Sequence, residues 1–443
     1  MAGESVGAGA VEAATAVEQD NRGIYFGYWL IGAAFIAQFV AVGSQNYVVG
    51  AFLKPMTDDL GWTRAEYTYA RTVAQVIMAF TGFFIGTHVD RRGGRQLMLI
   101  GITILSSSLF MLSFVQELWH WIVLNGLIMT VGAAMIGNLV VNVTLSKWFV
   151  EKRGLAVALA SMGVSMAGVL LTPAMTRIID EYDWRTGWRV MGIGALVLIV
   201  PVALLMRRAP EDYGLHPDGK SAAQVAAGDG QKASLDFASS LTRGEALRTV
   251  SFYMLVLAFG MFGLTIGVML LHTIPFMTDA GYSRSTAAFM VTLASIPALL
   301  SKPFWGLLMD KTDPKRLASI SAMTTGTSLI VITMAVRAEN HPAIYGGFLL
   351  LGFGWGGMIP LQELIWATFF GRRYLGSVRS AGLPFSLFLG AGAPLLVSEY
   401  VDRAGDYDGA FLTIAGLNLT AAVLLLFIRK PQRRGAGELA GTG

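Results

Sequence analysis

Long apolar runs, broken by short loops that carry nearly all the charge, pattern this chain from residue 25 to residue 428. Stretches of about 20 mostly apolar residues are long enough to cross a bilayer as helices. Twelve are predicted, near 25–51, 66–87, 96–115, 119–145, 155–177, 188–206, 251–275, 284–308, 316–336, 343–369, 376–398 and 409–428. In lipid every backbone N–H and C=O must be bonded internally, and these runs exceed barrel-strand length, so helices follow. The pattern predicts an all-α membrane protein with twelve transmembrane helices.

The loops also repeat. Gly86-Thr-His-Val-Asp90-Arg91-Arg92-Gly93-Gly94-Arg95 returns as Gly306-Leu-Leu-Met-Asp310-Lys311-Thr-Asp-Pro-Lys315-Arg316, and 306 − 86 = 220. Phe149 and Arg153 answer Phe369 and Arg373 at the same offset. A hydropathy pattern repeated over half the chain is the mark of a duplicated membrane bundle, which predicts two pseudo-symmetric six-helix halves, 23–206 and 251–428. Residues 1–22 lack the basic start of a signal peptide and read as a disordered small-residue arm. Residues 207–250 are polar, with Pro210, Gly214, Pro217 and Gly219, and read as a cytoplasmic linker; 429–443 form a tail.

Composition narrows the class. With 54% hydrophobic and 14% charged residues, the chain is too apolar for a soluble domain. Basic residues gather in alternate loops, which predicts a multi-pass protein of the cell inner (plasma) membrane with both termini cytoplasmic. The net charge of +4 is thereby a topological signal, and no nucleic-acid partner is needed to explain it. There is no cysteine, hence no disulfide or thiolate site. Neither a metal-spaced cluster nor a nucleophile dyad points to an enzyme, a metal or a cofactor. A monomer is expected.

Two motifs are decoys. Gly214-Leu-His-Pro-Asp-Gly219-Lys220-Ser221 spells a phosphate loop, but no apolar strand precedes it and Pro217 interrupts it. Gly352-Phe-Gly354-Trp-Gly356-Gly357 spells a dinucleotide fingerprint in the middle of an apolar span, where small residues instead allow two helices to approach closely.

The repeated loop Gly-x-x-x-Asp-(Arg/Lys)-x-Gly-x-(Arg/Lys) resembles the signature loop of the major facilitator superfamily. That resemblance covers essentially the whole chain and implies a rocking two-half carrier. In the superfamily the loop's Asp pairs with Arg side chains and helix ends on the cytoplasmic side, which makes Asp90, Arg91 and Arg95 gating residues, and Asp310, Arg153 and Arg373 join them as gating candidates. The second copy departs from the pattern at Asp313-Pro314. Two segments, Tyr182-Asp-Trp184-Arg185-Thr-Gly-Trp188-Arg189 and Arg208-Ala-Pro-Glu-Asp-Tyr-Gly214-Leu-His-Pro-Asp-Gly219, resemble the branch of monocarboxylate porters and oxalate/formate exchangers. In that branch Arg-Pro-x-x-Gly supplies an arginine for the substrate carboxylate; here Lys302-Pro303-Phe-Trp-Gly306 places lysine there, and Ala298 stands where many members have an aspartate. Lysine is a point charge, whereas arginine offers a bidentate fork.

Polar residues inside the spans supply the rest of the candidate chemistry. A lone buried ammonium at Lys302 costs several kcal/mol unless it faces water or an anion; the alternatives are an anionic substrate, snorkelling, or pairing with an acid. Gln38, Gln45, Asn46 and Tyr47 in the first span, and Asn138 and Asn142 in the fourth, either line a cavity or join helices. Arg71, four residues before Gln75, is either a pathway residue or a snorkelling one. His272 can carry a proton, bind a carboxylate or cap a carbonyl. Glu363 either carries a coupling proton or serves as counter-ion to Lys302 or a loop arginine.

The function expected from these readings is secondary active transport of a small organic anion, most of all a monocarboxylate, by alternating access with proton coupling or anion exchange. Substrate-binding candidates are Lys302, His272, Gln45, Asn46, Tyr47, Asn138 and Asn142; proton carriers are Glu363 and His272. The partners are a small carboxylate, protons and the bilayer. The rival on the same fold is a proton-driven exporter of amphipathic compounds, whose members usually carry Gly-Pro in the fifth span; here Gly163 to Pro173 lacks that dipeptide.

Overall fold

Capping residues, more than hydropathy, decide where the helices of this protein begin. Thr63, Asp183, Thr249, Ser283, Asp313 and Asn340 each accept an amide of the first helical turn through the side chain. Several helices therefore start earlier or run later than their apolar cores. The computed structural model describes residues 24–225, 231–385 and 393–431. The helices that matter below are α1 (Phe26–Leu53), α2 (Arg64–Arg92), α3 (Arg95–Leu112), α4 (Leu118–Trp148), α5 (Arg153–Glu181), α6 (Trp184–Leu205), α7 (Val250–Asp279), α8 (Arg284–Met309), α9 (Pro314–Arg337), α10 (His341–Phe370), α11 (Leu375–Ala381) and α12 (Asp408–Phe427).

Among the described residues eleven helices contain a stretch long and apolar enough to cross a membrane. The predicted span 376–398 is described only in part, as α11 and the helix Ala393–Ala404, because 386–392 lie outside the described residues. The predicted arm 1–22 and the tail from 432 onward also lie outside them. Three helices are not regular throughout: α1 widens into a π-turn at Gly43–Tyr47, α4 at Ile122–Met129 and α5 at Ala167–Leu171. The turns of α1 and α5 meet, since a Cβ at Gly43 would press on Leu171 and one at Gly168 on the Tyr47 ring.

The duplication is visible on the surface. Tyr69, Val76, Phe80 and Phe84 form an exposed apolar stripe on α2; adding 220 gives Phe289, Ile296, Leu300 and Phe304, the exposed stripe of α8. Large apolar side chains left outside in a row are suited to hydrocarbon rather than water. On the opposite side of these two helices run the seams between the halves: α2 packs against α11, and α8 against α5. Gly86 meets Gly376, and Gly306 meets Ala158 and Leu155, so closely that a methyl group on either glycine would collide with backbone.

Candidate functional site

The end of the bundle that carries Asp90, Lys147, Asp310 and Arg372, called the basic face below, is closed by two latches. The Asp90 carboxylate accepts the amides of Gly376 and Ser377 at 3.0 and 2.7 Å, capping α11. Asp310 accepts the amides of Gly154 and Leu155 at 2.8 and 3.1 Å, capping α5. Each carboxylate thus sits at the positive end of a helix belonging to the other half. The altered second loop, with Asp313-Pro314, still delivers its aspartate: Asp313 caps the start of α9 while Asp310 reaches across.

The cationic partners differ from those the loop pattern suggests. Asp90 pairs with Lys147 at 3.1 Å, both buried. Arg91 and Arg95 are exposed and make no ion pair among the described residues. Arg153 is buried, bonded to the carbonyls of Ser146 and Phe149 and to Asp236. Arg373, its partner at offset 220, is exposed; Arg372 is the buried one, on the Lys147 carbonyl at 3.0 Å and on Glu211 at 2.5 Å.

The segment after α6 is docked on this face. Asp218 accepts the amides of Val150, Glu151 and Lys152 at 3.0–3.2 Å, and Lys220 pairs with Glu151. The phosphate-loop lookalike therefore holds the α4–α5 turn. Further on, Arg243 spans the α2–α11 seam, donating to the Phe83 and Ser377 carbonyls and to Thr87. Burial lowers its pKa, and Asp90 opposes that shift from a distance. Thr87, Asp90, Arg243 and Ser377 line a cavity of about 660 Å³ together with Arg91, Arg208 and Arg373.

Inside the bundle the polar residues fall into two tiers. The near tier centres on Lys302, eight residues before Asp310 and so about 12 Å from the basic face along α8. It is 2% exposed. Its ammonium crosses the seam to the Ser161 carbonyl at 3.0 Å and the Ser165 hydroxyl at 2.5 Å, both on α5. No carboxylate among the described residues lies within ion-pair distance. The repeat equivalent of Lys302 is Gly82 (302 − 220), which faces Leu383 of α11's C-terminal flank. One half thus sends a cation across the seam where the other has a bare glycine packed against a leucine from across it.

Glu363 shares this level and pairs with Arg379 of α11 at 3.3 Å, both buried. Its second oxygen has no hydrogen-bond partner. Gln38 donates to Asn142 at 3.1 Å, and both are fully buried, joining α1 to α4. Asn138, one turn away, keeps a buried carbonyl oxygen without a partner.

The far tier holds Gln45, Asn46, Tyr47, Arg71 and His272. Arg71 donates to the Gln45 carbonyl at 3.1 Å and to Asn46 Oδ1 at 2.8 Å. The π-turn of α1 brings these acceptors to it. His272 bonds the Pro394 carbonyl at 3.1 Å and packs against Tyr407. It lies 22 residues along α7 from Val250, about 33 Å from the basic face, so Lys302 and His272 do not converge on one short ligand.

Ser161, Ser165, Lys147, Arg379, Asp236 and Arg243 were not singled out by sequence. Hydroxyls and a linker aspartate carry no periodic signal, and Arg379, at the start of the predicted span 376–398, has no partner identifiable along the chain until the fold sets it beside Glu363.

The comparisons with known proteins agree with this architecture. The sequence model described as Major Facilitator Superfamily matches residues 34–378 and 257–442. The chain is similar to an oxalate:formate antiporter of Oxalobacter formigenes, 24% identical over 419 residues, covering 92% of this chain and 93% of that protein. It is likewise 24% identical over 390 residues to monocarboxylate transporter 4 of Gallus gallus, covering 85% and 77%. Among solved structures, the proton:xylose symporter XylE superposes with a TM-score of 0.74 at 12% identity, covering 92% and 97%.

Proposed function

The chain belongs to the major facilitator superfamily of membrane transporters, and on that premise we propose that it carries small organic anions, monocarboxylates foremost, by alternating access. The observation that carries the reading is the Lys302 ammonium, buried on the seam and bonded to a carbonyl and a hydroxyl, with no carboxylate among the described residues within ion-pair distance. Such a cation is under-compensated in a low-dielectric interior, and an entering carboxylate offers the missing charge. The two named relatives are, by their names, carriers of oxalate, formate and monocarboxylates, which supports the class.

The same geometry supplies a coupling step. The basic face is read as cytoplasmic by the positive-inside rule, with both termini there and the protein in the cell inner membrane. With that face closed, cargo arrives from the outer side. When a carboxylate takes the ammonium, Lys302 releases Ser161 and Ser165, and a link deep in the seam is lost. The closed state is weakened relative to the open one by that differential interaction, which is what a ligand must supply to shift a conformational equilibrium. Asp90 and Asp310 act as the cytoplasmic latches, with Arg153 and Arg372 bracing the helix ends beside them. Gln38, Asn138 and Asn142 shape the near tier. Glu363, with one oxygen unpaired, and His272 are the proton carriers if transport is proton-coupled; anion exchange needs neither.

Uptake of labelled lactate, formate or oxalate into proteoliposomes tests the reading. Wild-type protein is expected to transport at least one, and Lys302→Ala to abolish it. Unimpaired transport by that variant would remove Lys302 from the mechanism, and drug resistance conferred on cells without any carboxylate uptake would favour the exporter.

A further inference from the structure

Arg71 is a charge in the membrane-spanning part of α2 that the Lys302 site does not use. It is exposed, and the direction of that exposure carries the argument. At 100° per residue, Arg71 lies nine residues from Phe80, about 180° around α2 from the centre of the lipid stripe. It lies eleven residues from Gly82, within about 20° of the position that meets Leu383 of the other half. The stripe Arg71, Gln75, Ala79, Gly82, Gly86 and Asp90 is buried from Ala79 to Asp90, where the halves touch, and exposed at Gln75 and Arg71. The exposed end of a seam-facing stripe opens into the cleft between the halves, not into lipid. Snorkelling toward headgroups does not account for a side chain placed opposite the lipid stripe.

The guanidinium is held and only partly used. Gln45 O and Asn46 Oδ1 take one N–H from each terminal nitrogen, leaving three of the five donors. No carboxylate among the described residues pairs with it. Asn46 is itself exposed, so its supporting amide stands at the cleft wall.

We propose that Arg71 is a second anion-binding residue, an outer station that receives carboxylates from the far side before they reach Lys302. The two stations are separate. Lys302 is equivalent to position 82 in the first half, and Arg71 lies eleven residues outward of it, about 16 Å in helix rise. A short carboxylate occupies one station at a time. The fork geometry of arginine suits capture of a planar carboxylate, and the compact ammonium at Lys302 suits release to a seam that must open.

This inference rests on the carboxylate reading above, and the test separates the two. Proteoliposomes of known orientation are offered labelled lactate, formate and oxalate at the outer face over a range of ionic strengths. Arg71→Gln is expected to raise the outer KM about tenfold and to flatten its dependence on salt, since an accessible cation that recruits anions is screened by electrolyte. Arg71→Lys should retain most of the salt dependence. Wild-type transport combined with an unchanged outer KM and unchanged salt response in Arg71→Gln overturns the outer station and leaves Lys302 standing. No transport of any of these anions by wild type overturns both. Should Arg71→Gln not reach the membrane, Asn46→Ala removes one support of the guanidinium and should shift the outer KM in the same direction by a smaller factor; no shift there also overturns the proposal.

Discussion

The Asp90 carboxylate accepts the Gly376 amide at 3.0 Å, so a loop residue of the first half caps a helix of the second. Asp310 returns the arrangement on Gly154 at 2.8 Å. Two carboxylates of a duplicated motif, each placed on the other half's helix end, hold the basic face shut from both sides.

Loosening these latches should open that face. With no native cysteine, Ala158→Cys at the α5–α8 seam gives a single reporter. Charge-assisted hydrogen bonds contribute roughly 1.5–3 kcal/mol each, so Asp90→Asn combined with Asp310→Asn is expected to raise the rate of maleimide labelling from the cytoplasmic side at least about tenfold. Labelling that stays at the level of the latched Ala158→Cys parent would mean the seam does not open through these residues.

Lys302→Met should separate binding from folding. The substitution keeps an unbranched side chain one heavy atom shorter and removes a buried charge whose desolvation offsets its two hydrogen bonds. The ligand-free melting temperature is therefore expected to be unchanged or higher, while the upward shift that a bound carboxylate gives the wild type disappears. A large fall in ligand-free stability would make the lysine a structural tie instead.

Glu363 and Arg379 make a buried pair, and breaking one side leaves the other uncompensated. Glu363→Gln should lower stability by about 3 kcal/mol or more. The double variant Glu363→Gln with Arg379→Met should recover much of it in a thermal unfolding series. If Glu363 also carries a coupling proton, transport by Glu363→Gln will lose its dependence on an imposed pH gradient, whereas a purely structural pair leaves that dependence intact at reduced protein yield.

On the outer side, Asp59 accepts from Arg185 at 2.8 Å and from the Trp184 indole at 3.1 Å. These bonds, the one from Arg185 first, hold its carboxyl below the usual carboxylate range. A group whose folded pKa is depressed contributes stability above its unfolded value, about 3.9, and loses it as the pH falls toward the folded value. The melting temperature of Asp59→Asn should thus fall below wild type at pH 7, and the difference should shrink below about pH 4. A difference that persists undiminished in acid would assign the effect to packing.

Much of the architecture can be read along the chain. The repeat at offset 220 locates both latch aspartates, and the same offset relates the lipid stripes of α2 and α8, because bilayer thickness and outward-facing hydrocarbon impose one hydropathy pattern on each half. Lys302 also stands out, since an uncompensated charge in an apolar run is conspicuous in one dimension. The linker does not: it reads as a loose polar connector, yet Asp218 is bound to three amides and Arg243 bridges the seam.

What the sequence by itself determined is the set of segments that enter the membrane and the charges that interrupt them, because the cost of placing a polar group in hydrocarbon acts locally, residue by residue. Only the tertiary structure decided which partner each charge takes. Lys302 meets Ser161 and Ser165 rather than Glu363, Asp90 meets Lys147 rather than Arg91, and Arg372 rather than Arg373 turns inward. Those choices depend on which helix faces which, on distances of a few ångströms between residues 57 to 225 positions apart, and no periodicity along the chain encodes them.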